Sequence, residues 1–191
     1  MRKTFAISFA LSAAILSAQQ FKAGSQVTDF QIRDLDGKAV SFSPPKGPVT
    51  VVTFIATQCP VSNSYNQRMI DLYKDYTPKN VRFIFVNANR SEPASEVREH
   101  AKRVGFSFPV YKDPDNLVAD RFDAQVTPES YVIDSSGILR YHGSIDDDMN
   151  VARVHTQRLR QALDALLAGK PVPSMETKAF GCTIKRVHKV S

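Results

Sequence analysis

Cys59 stands in the run Thr57-Gln58-Cys59-Pro60-Val61-Ser62, between an apolar, β-branched stretch (Val49 to Ile55) and a stretch with helical patterning. That order predicts a thiol at a strand-to-helix junction, with Cys59 as the N-cap residue and Pro60 at the first helical position, where its missing N–H costs nothing. The leading N–H groups of a helix are unpaired and carry about half a positive charge, so a thiol held there ionises more readily than one in a loop. The thiolate is the reactive form, able to attack a disulfide or a peroxide.

One other cysteine exists, Cys182. An even pair invites a bridge, and two readings stay open: a static staple across a long loop, or a working pair whose reactive member is Cys59. The histidines His100, His142, His155 and His188 are scattered, without the H-E-x-x-H or paired-cysteine spacing that specifies zinc. A soft copper site made of Cys59, Cys182 and His142 or His188 is the metal alternative. The run Asp146-Asp147-Asp148 lacks EF-hand spacing and precedes a predicted helix, where acids meet the dipole favourably.

The elements that must position these groups follow from periodicity. Residues 27 to 42 alternate polar and apolar about Asp36-Gly37 and predict a hairpin. Val49 to Ile55 and Val81 to Val86 predict strands covered on both faces. Between them Val61, Tyr65, Met69, Leu72 and Tyr76 recur at helical spacing up to Thr77-Pro78. A second helix is expected after Ser91-Glu92-Pro93, with Val97, Ala101 and Val104 inward and Gly105 as its stop, then a short strand over Phe108 to Tyr111 and a short helix over 115–123. Tyr131 to Ile133 and Ile138 to Tyr141 predict a second hairpin, and a long helix is expected from about Asn150 to Ala168 with Val151, Val154, Leu159, Leu163, Leu166 and Leu167 largely inward. Helices alternating with strands in this way predict a three-layer α/β sandwich with a mixed central sheet, helices on both faces and an N-terminal β-hairpin.

At 191 residues and 42% hydrophobic content the chain has material for one domain with a real core. Residues 1–18 have the order of a secretory signal: Arg2 and Lys3, the apolar stretch Phe5 to Leu16, then small residues through Ala18. The expected division is a signal peptide over 1–18, a domain over 19–169 and a C-terminal tail over 170–191 carrying Cys182. The product would be exported, periplasmic or extracellular, without stable membrane insertion after signal removal. Formal charge is 25 − 19 = +6, or +4 without Arg2 and Lys3. No basic stripe is interleaved with aromatics, so nucleic acid is not an expected partner.

From about Gly24 to Leu167 the chain resembles a thioredoxin-fold redoxin of the alkyl hydroperoxide reductase/thiol-specific antioxidant superfamily. Residues 24–42 resemble its opening hairpin, Ala56 to Asn63 its redox-active strand-to-helix turn, and Val126-Thr127-Pro128-Glu129 its cis-proline loop. Tyr141 to Asp147 and Gly181-Cys182-Thr183-Ile184-Lys185 are similar to the peroxiredoxin-like subgroup with a single active-site cysteine. The resemblance implies a thioredoxin-like sandwich in which Cys59 is the nucleophile and Ser62 takes the second cysteine's place in C-x-x-C. Ser62 would donate a hydrogen bond to the Cys59 thiolate but cannot resolve a mixed disulfide, which leaves Cys182 as the internal resolving thiol. Thr127 and a cis Pro128 would present backbone to substrate. The peroxidatic turn Pro-x-x-x-Thr-x-x-Cys is absent, because its proline and threonine positions hold Val52 and Ala56, and Thr57 lies one residue away.

The expectation is an exported thiol oxidoreductase with Cys59, Cys182, Ser62 and Thr57 catalytic, and with Thr127 and Pro128 binding substrate. Its partner would be a protein thiol or disulfide, or a small peroxide, and no cofactor is required. The alternative is a copper-binding or non-catalytic module on the same fold.

Overall fold

The computed structural model describes residues 20–43 and 48–188. The expected signal segment, 1–18, lies outside the described residues, as do Pro44 and Pro45.

The opening hairpin pairs β1 (Phe30–Arg33) with β2 (Ala39–Phe42). Its turn forms because the Asp34 carboxylate collects the N–H groups of Asp36 and Lys38, both at 2.9 Å, while Gly37 takes a positive φ of 85°. The chain continues through β3 (Val49–Phe54), α1 (Pro60–Ser64), α2 (Asn66–Tyr76), β4 (Val81–Asn87), α3 (Ala94–Val104), β5 (Val110–Lys112) and α4 (Leu117–Arg121). It closes with β6 (Val126–Thr127), β7 (Glu129–Ile133), β8 (Leu139–Gly143), α5 (Arg158–Leu167) and β9 (Cys182–Thr183).

Seven strands form one mixed sheet in the order β2-β1-β5-β4-β3-β7-β8. β3, β4 and β5 run parallel, and β7 lies antiparallel against β3. Both parallel steps move in the same direction, so right-handed crossovers place α2 and α3 on one face, and the return from β5 to β7 places α4 on the other.

Alternation along the strands sorts the core accordingly. Val51, Phe83, Phe85, Val110 and Val132 pack against Met69, Leu72, Val97, Leu159 and Leu163 of α2, α3 and α5. Val52, Phe54, Ile84, Val86, Tyr131 and Ile133 pack against Val118, Ala119 and Phe122, with Phe21, Val27 and Ile184 completing that layer. Every residue of β3 is buried, as its unbroken apolar run predicts. The predicted α/β sandwich is the observed fold.

Two elements differ from expectation. The helix after Cys59 is broken at Tyr65, whose ψ of −3° takes it out of the helix and whose hydroxyl donates to Asp146 at 2.6 Å. The last helix begins at Arg158, not Asn150, and Val151 (68%) and Leu167 (40%) are exposed rather than inward. Here Asn150 Oδ1 accepts the Ala152 N–H at 3.0 Å and Asp147 Oδ1 accepts the His155 N–H at 3.0 Å. These side-chain bonds offer the backbone a turn in place of a helix. The acidic run therefore organises a loop: Asp146 receives Tyr65 and Arg68, and Asp148 receives the Asn150 N–H and pairs with Arg153.

Candidate active site

β3 ends directly before the loop 55–58, and Cys59 follows as the N-cap of α1 with extended backbone (φ −89°, ψ 116°) and Pro60 at the first position. Its sulfur accepts the Ser62 N–H at 3.3 Å, the expected helix-start contact. The Ser62 hydroxyl, expected to serve the sulfur, instead accepts the Ala56 N–H at 3.1 Å, so Ser62 meets Cys59 through its backbone. The Thr57 hydroxyl donates to Glu96 at 2.6 Å. Cys59 itself is 3% exposed.

Against this junction sits the bond between Thr127 and Pro128, which is cis as the resemblance implied. The Thr127 carbonyl oxygen lies 3.4 Å from the Cys59 sulfur. In the reduced protein that oxygen would accept the thiol proton, while the Ser62 N–H favours the thiolate, so the two contacts pull the ionisation in opposite directions.

Cys182 is bonded to Cys59 in a disulfide, with the α-carbons 5.8 Å apart across a sequence separation of 123. It arrives as part of β9, which pairs antiparallel with β6 in the register Thr127 to Cys182 and Val126 to Thr183. The approach is close enough to demand glycine: a Cβ on Gly181, where φ is 157°, would lie 2.0 Å from the Thr127 carbonyl oxygen. The tail is fixed on both sides of the disulfide. Upstream, Thr177 donates its N–H to the His142 carbonyl at 2.9 Å, and its hydroxyl shares a hydrogen bond with that of Tyr141 at 2.8 Å. Downstream, the N–H groups of Ile184, Lys185 and Val187 go to the Gln125 carbonyl (2.9 Å), Asn89 Oδ1 (2.7 Å) and Asn116 Oδ1 (2.7 Å), Arg186 pairs with Asp120, and the Ile184 side chain is buried in the second core.

Two buried carboxylates that sequence reading passed over hold the two loops of this site. Glu92 accepts the N–H groups of Thr57 (2.8 Å) and Gln58 (3.2 Å) and the amides of Asn87 and Asn89. Burial pushes its carboxyl up, but these donors outweigh it and hold the group below its ordinary value. Behind it Lys112 is buried, donating to Asn87 Oδ1 and to the carbonyls of Asn89 and Glu92; burial pulls its ammonium down to about 8 against the pull of Glu92 and Asp113. Glu129 follows the cis-proline and accepts the N–H groups of Gln125 (2.7 Å) and Val126 (3.1 Å) and the His142 ring nitrogen (2.6 Å). It too is held below its ordinary value, the His142 and backbone bonds overcoming burial. The sequence offered Glu92 as part of a helix start, and nothing in its spacing reveals partners 34 and 35 residues away.

The copper set does not assemble. His142 is engaged by Glu129 and stacked on Tyr131 with ring centroids 4.5 Å apart, and His188 is exposed at the end of the described tail. Among the described residues no three His, Cys, Asp or Glu side chains gather into a metal-holding group. What the geometry assembles is a two-sulfur centre at a helix start.

The thiol-disulfide oxidoreductase ResA of Halalkalibacterium halodurans is 31% identical over 130 residues, covering 67% of this chain and 73% of that protein. An uncharacterized conserved protein of Geobacillus kaustophilus has a similar crystal structure, with a TM-score of 0.81 and 32% identity over 90% of this chain and 95% of that one. A hypothetical protein of Sinorhizobium meliloti follows with a TM-score of 0.80 and 28% identity, covering 90% and 98%. The fold is thioredoxin-like. Residues 23–142, from the segment before the hairpin to the histidine bound by Glu129, match the AhpC/TSA family model, and the chain belongs to the AhpC/TSA family.

Proposed function

We propose that the protein is a thiol–disulfide oxidoreductase cycling between the Cys59–Cys182 disulfide and the dithiol. The observation that carries this reading is the seating of Cys182, through β9, on the Thr127–Pro128 loop directly over the helix-start sulfur of Cys59. In the reducing direction the Cys59 thiolate attacks one sulfur of a substrate disulfide, forming a mixed disulfide and releasing the other sulfur as thiolate. Cys182 then attacks the Cys59 sulfur, the substrate's second thiolate leaves, and two electrons have passed from the protein pair to the substrate. Thr127 and Pro128 shape the opening, Ser62 supplies its N–H to the Cys59 sulfur, and Thr57 anchors the loop through Glu92 and Glu96. A dithiol donor, on a protein or free, restores the pair.

Peroxide reduction has less support. The positions of the peroxidatic proline and threonine hold the buried apolar residues Val52 and Ala56, and the Thr57 hydroxyl is engaged by Glu96. Export is part of the same proposal: the 1–18 segment has the order of a secretory signal, and a disulfide persists in oxidising compartments. Among the described residues no helix is long and apolar enough to cross a membrane. The tail over 170–191, set apart from the 19–169 domain in sequence, belongs functionally to the site.

The test is dithiol-driven reduction of a fluorogenic glutathione disulfide. Wild type should turn over, Cys59→Ser should fall to background, and Cys182→Ser should form the mixed disulfide once without sustained turnover. A wild type no faster than Cys59→Ser would refute the reading.

A further inference from the structure

Apart from the redox centre, we infer that the cavity between the tail and the start of α5 is a second binding site, which takes a small organic dianion whose charges are carboxylate or phosphate groups. The cavity measures about 400 Å³, the size of a small-molecule site. One wall is the first part of α5, which contributes Arg158, Gln161 and Ala162; the other is the tail, which contributes Val172, Ser174 and Lys178. Two cations line it and, among the described residues, no carboxylate does. A cleft walled by one sign of charge concentrates ions of the other.

Arg158 shows what is missing. Its side chain makes one hydrogen bond, from Nη1 to the Ser144 hydroxyl at 3.2 Å. The residue is partly buried, yet among the described residues no carboxylate pairs with it. Arg160, two positions on, pairs with Asp75 at 2.7 Å. Drawing a guanidinium out of water without a counter-ion is costly, and its planar fork offers paired N–H groups that match a carboxylate or a phosphate. On the facing wall Lys178 is exposed and, among the described residues, has no hydrogen bond or ion pair. Asp147, which borders the cavity at Thr156, is already engaged by the N–H groups of His155, at 3.0 Å, and of Thr156.

The hydroxyl groups of the lining are largely satisfied within the protein, so the cations decide what enters. The Tyr141 hydroxyl donates to the Ser144 carbonyl and shares a hydrogen bond with the Thr177 hydroxyl at 2.8 Å, and the Ser174 hydroxyl donates to the Glu176 carbonyl at 2.8 Å. The tail wall is fixed by backbone bonds to β8: the His142 N–H donates to the Met175 carbonyl at 2.8 Å, and the Thr177 N–H to the His142 carbonyl at 2.9 Å. Val172 and Ala162 offer apolar surface to a short carbon skeleton. Cations on opposite walls call for a ligand with two negative charges, and the walls that hold them are in place before it arrives.

The experiment titrates the oxidised full-length protein calorimetrically, at neutral pH and low ionic strength, with succinate, with glycerol 2-phosphate and with sodium chloride at matched ionic strength. One equivalent of succinate or of glycerol 2-phosphate should bind, and the tighter of the two identifies the head group. Arg158→Gln and Lys178→Gln should each weaken binding about tenfold, the loss of one charge-assisted contact. Arg82→Gln, at an exposed residue of β4 that lines no part of the cavity, should bind as wild type does. Lys178 is exposed, so its variant tests the site with the fold intact. Backbone amide shifts in the wild type need no variant, and on saturation they should gather at Thr156, Arg158 and Lys178. Neither heat nor amide shifts with either dianion, a response that chloride reproduces, equal weakening by Arg82→Gln, or shifts that gather elsewhere would overturn the inference.

Discussion

Glu92 illustrates how much of the site is held by a residue that performs no chemistry. All four of its partners, the Thr57 and Gln58 N–H groups and the Asn87 and Asn89 amides, are donors, divided between the two carboxylate oxygens. A glutamine would turn an NH2 group toward two of them. Glu92→Gln should therefore lower stability by about 1–3 kcal/mol at neutral pH, the cost of buried donors left unpaired. The pH dependence has a definite sign. Glu92 and Glu129 hold protons less tightly folded than unfolded, so below their ordinary value of 4.5 the unfolded chain binds more protons. Their contribution is full above that value and is lost as pH falls through the lower folded values. Urea midpoints measured from pH 7 downward should fall in that window, and the difference between wild type and Glu92→Gln should shrink there. A difference that stays constant into acid would show that the carboxylate's charge is not what the loop uses.

At the scale of elements, the hairpin, the buried strands and the helix-start cysteine are legible because each rests on local patterning: alternation in β1, an unbroken β-branched run in β3, and proline after cysteine at α1. The late start of α5 was not, since its competitor is a set of side-chain bonds from Asp147 and Asn150 that helical periodicity does not register. Nor was the docking of the tail, which depends on Gln125, Asn89 and Asn116 converging from three separate loops. The resemblance supplied the cis-proline loop and suggested the resolving role of Cys182, but the pairing of β9 with β6 came from the structure alone. That pairing makes a prediction about Ile184, which anchors β9 in the second core at 3% exposure. Ile184→Ala should remove about 2–5 kcal/mol of packing if the site does not collapse, and part of that holds Cys182 beside Cys59. A looser tail lowers the effective concentration of one thiol at the other, so the variant's disulfide should be reduced at a lower ratio of reduced to oxidised glutathione. An unchanged redox equilibrium would separate tail docking from the thiol pair.

For the whole molecule, the disulfide joins residues 123 positions apart, from the start of α1 to the last strand. In the chain-entropy account a loop of roughly 100 residues contributes about 4.7 kcal/mol by restricting the unfolded chain. The fold should survive its removal, because both hydrophobic layers are built from residues other than the two cysteines and the tail has contacts of its own on either side of Cys182. A redox enzyme of this design needs that independence, since half of its cycle is spent with the bond open. The reduced protein should therefore unfold in a single cooperative transition at a lower denaturant midpoint than the oxidised form, with a loss of no more than about 5 kcal/mol. Amide hydrogen exchange reads the tail directly. The Lys185 and Val187 N–H groups, bonded to Asn89 and Asn116, should stay protected after reduction. Free exchange at both positions on reduction would mean that the disulfide itself holds the tail down.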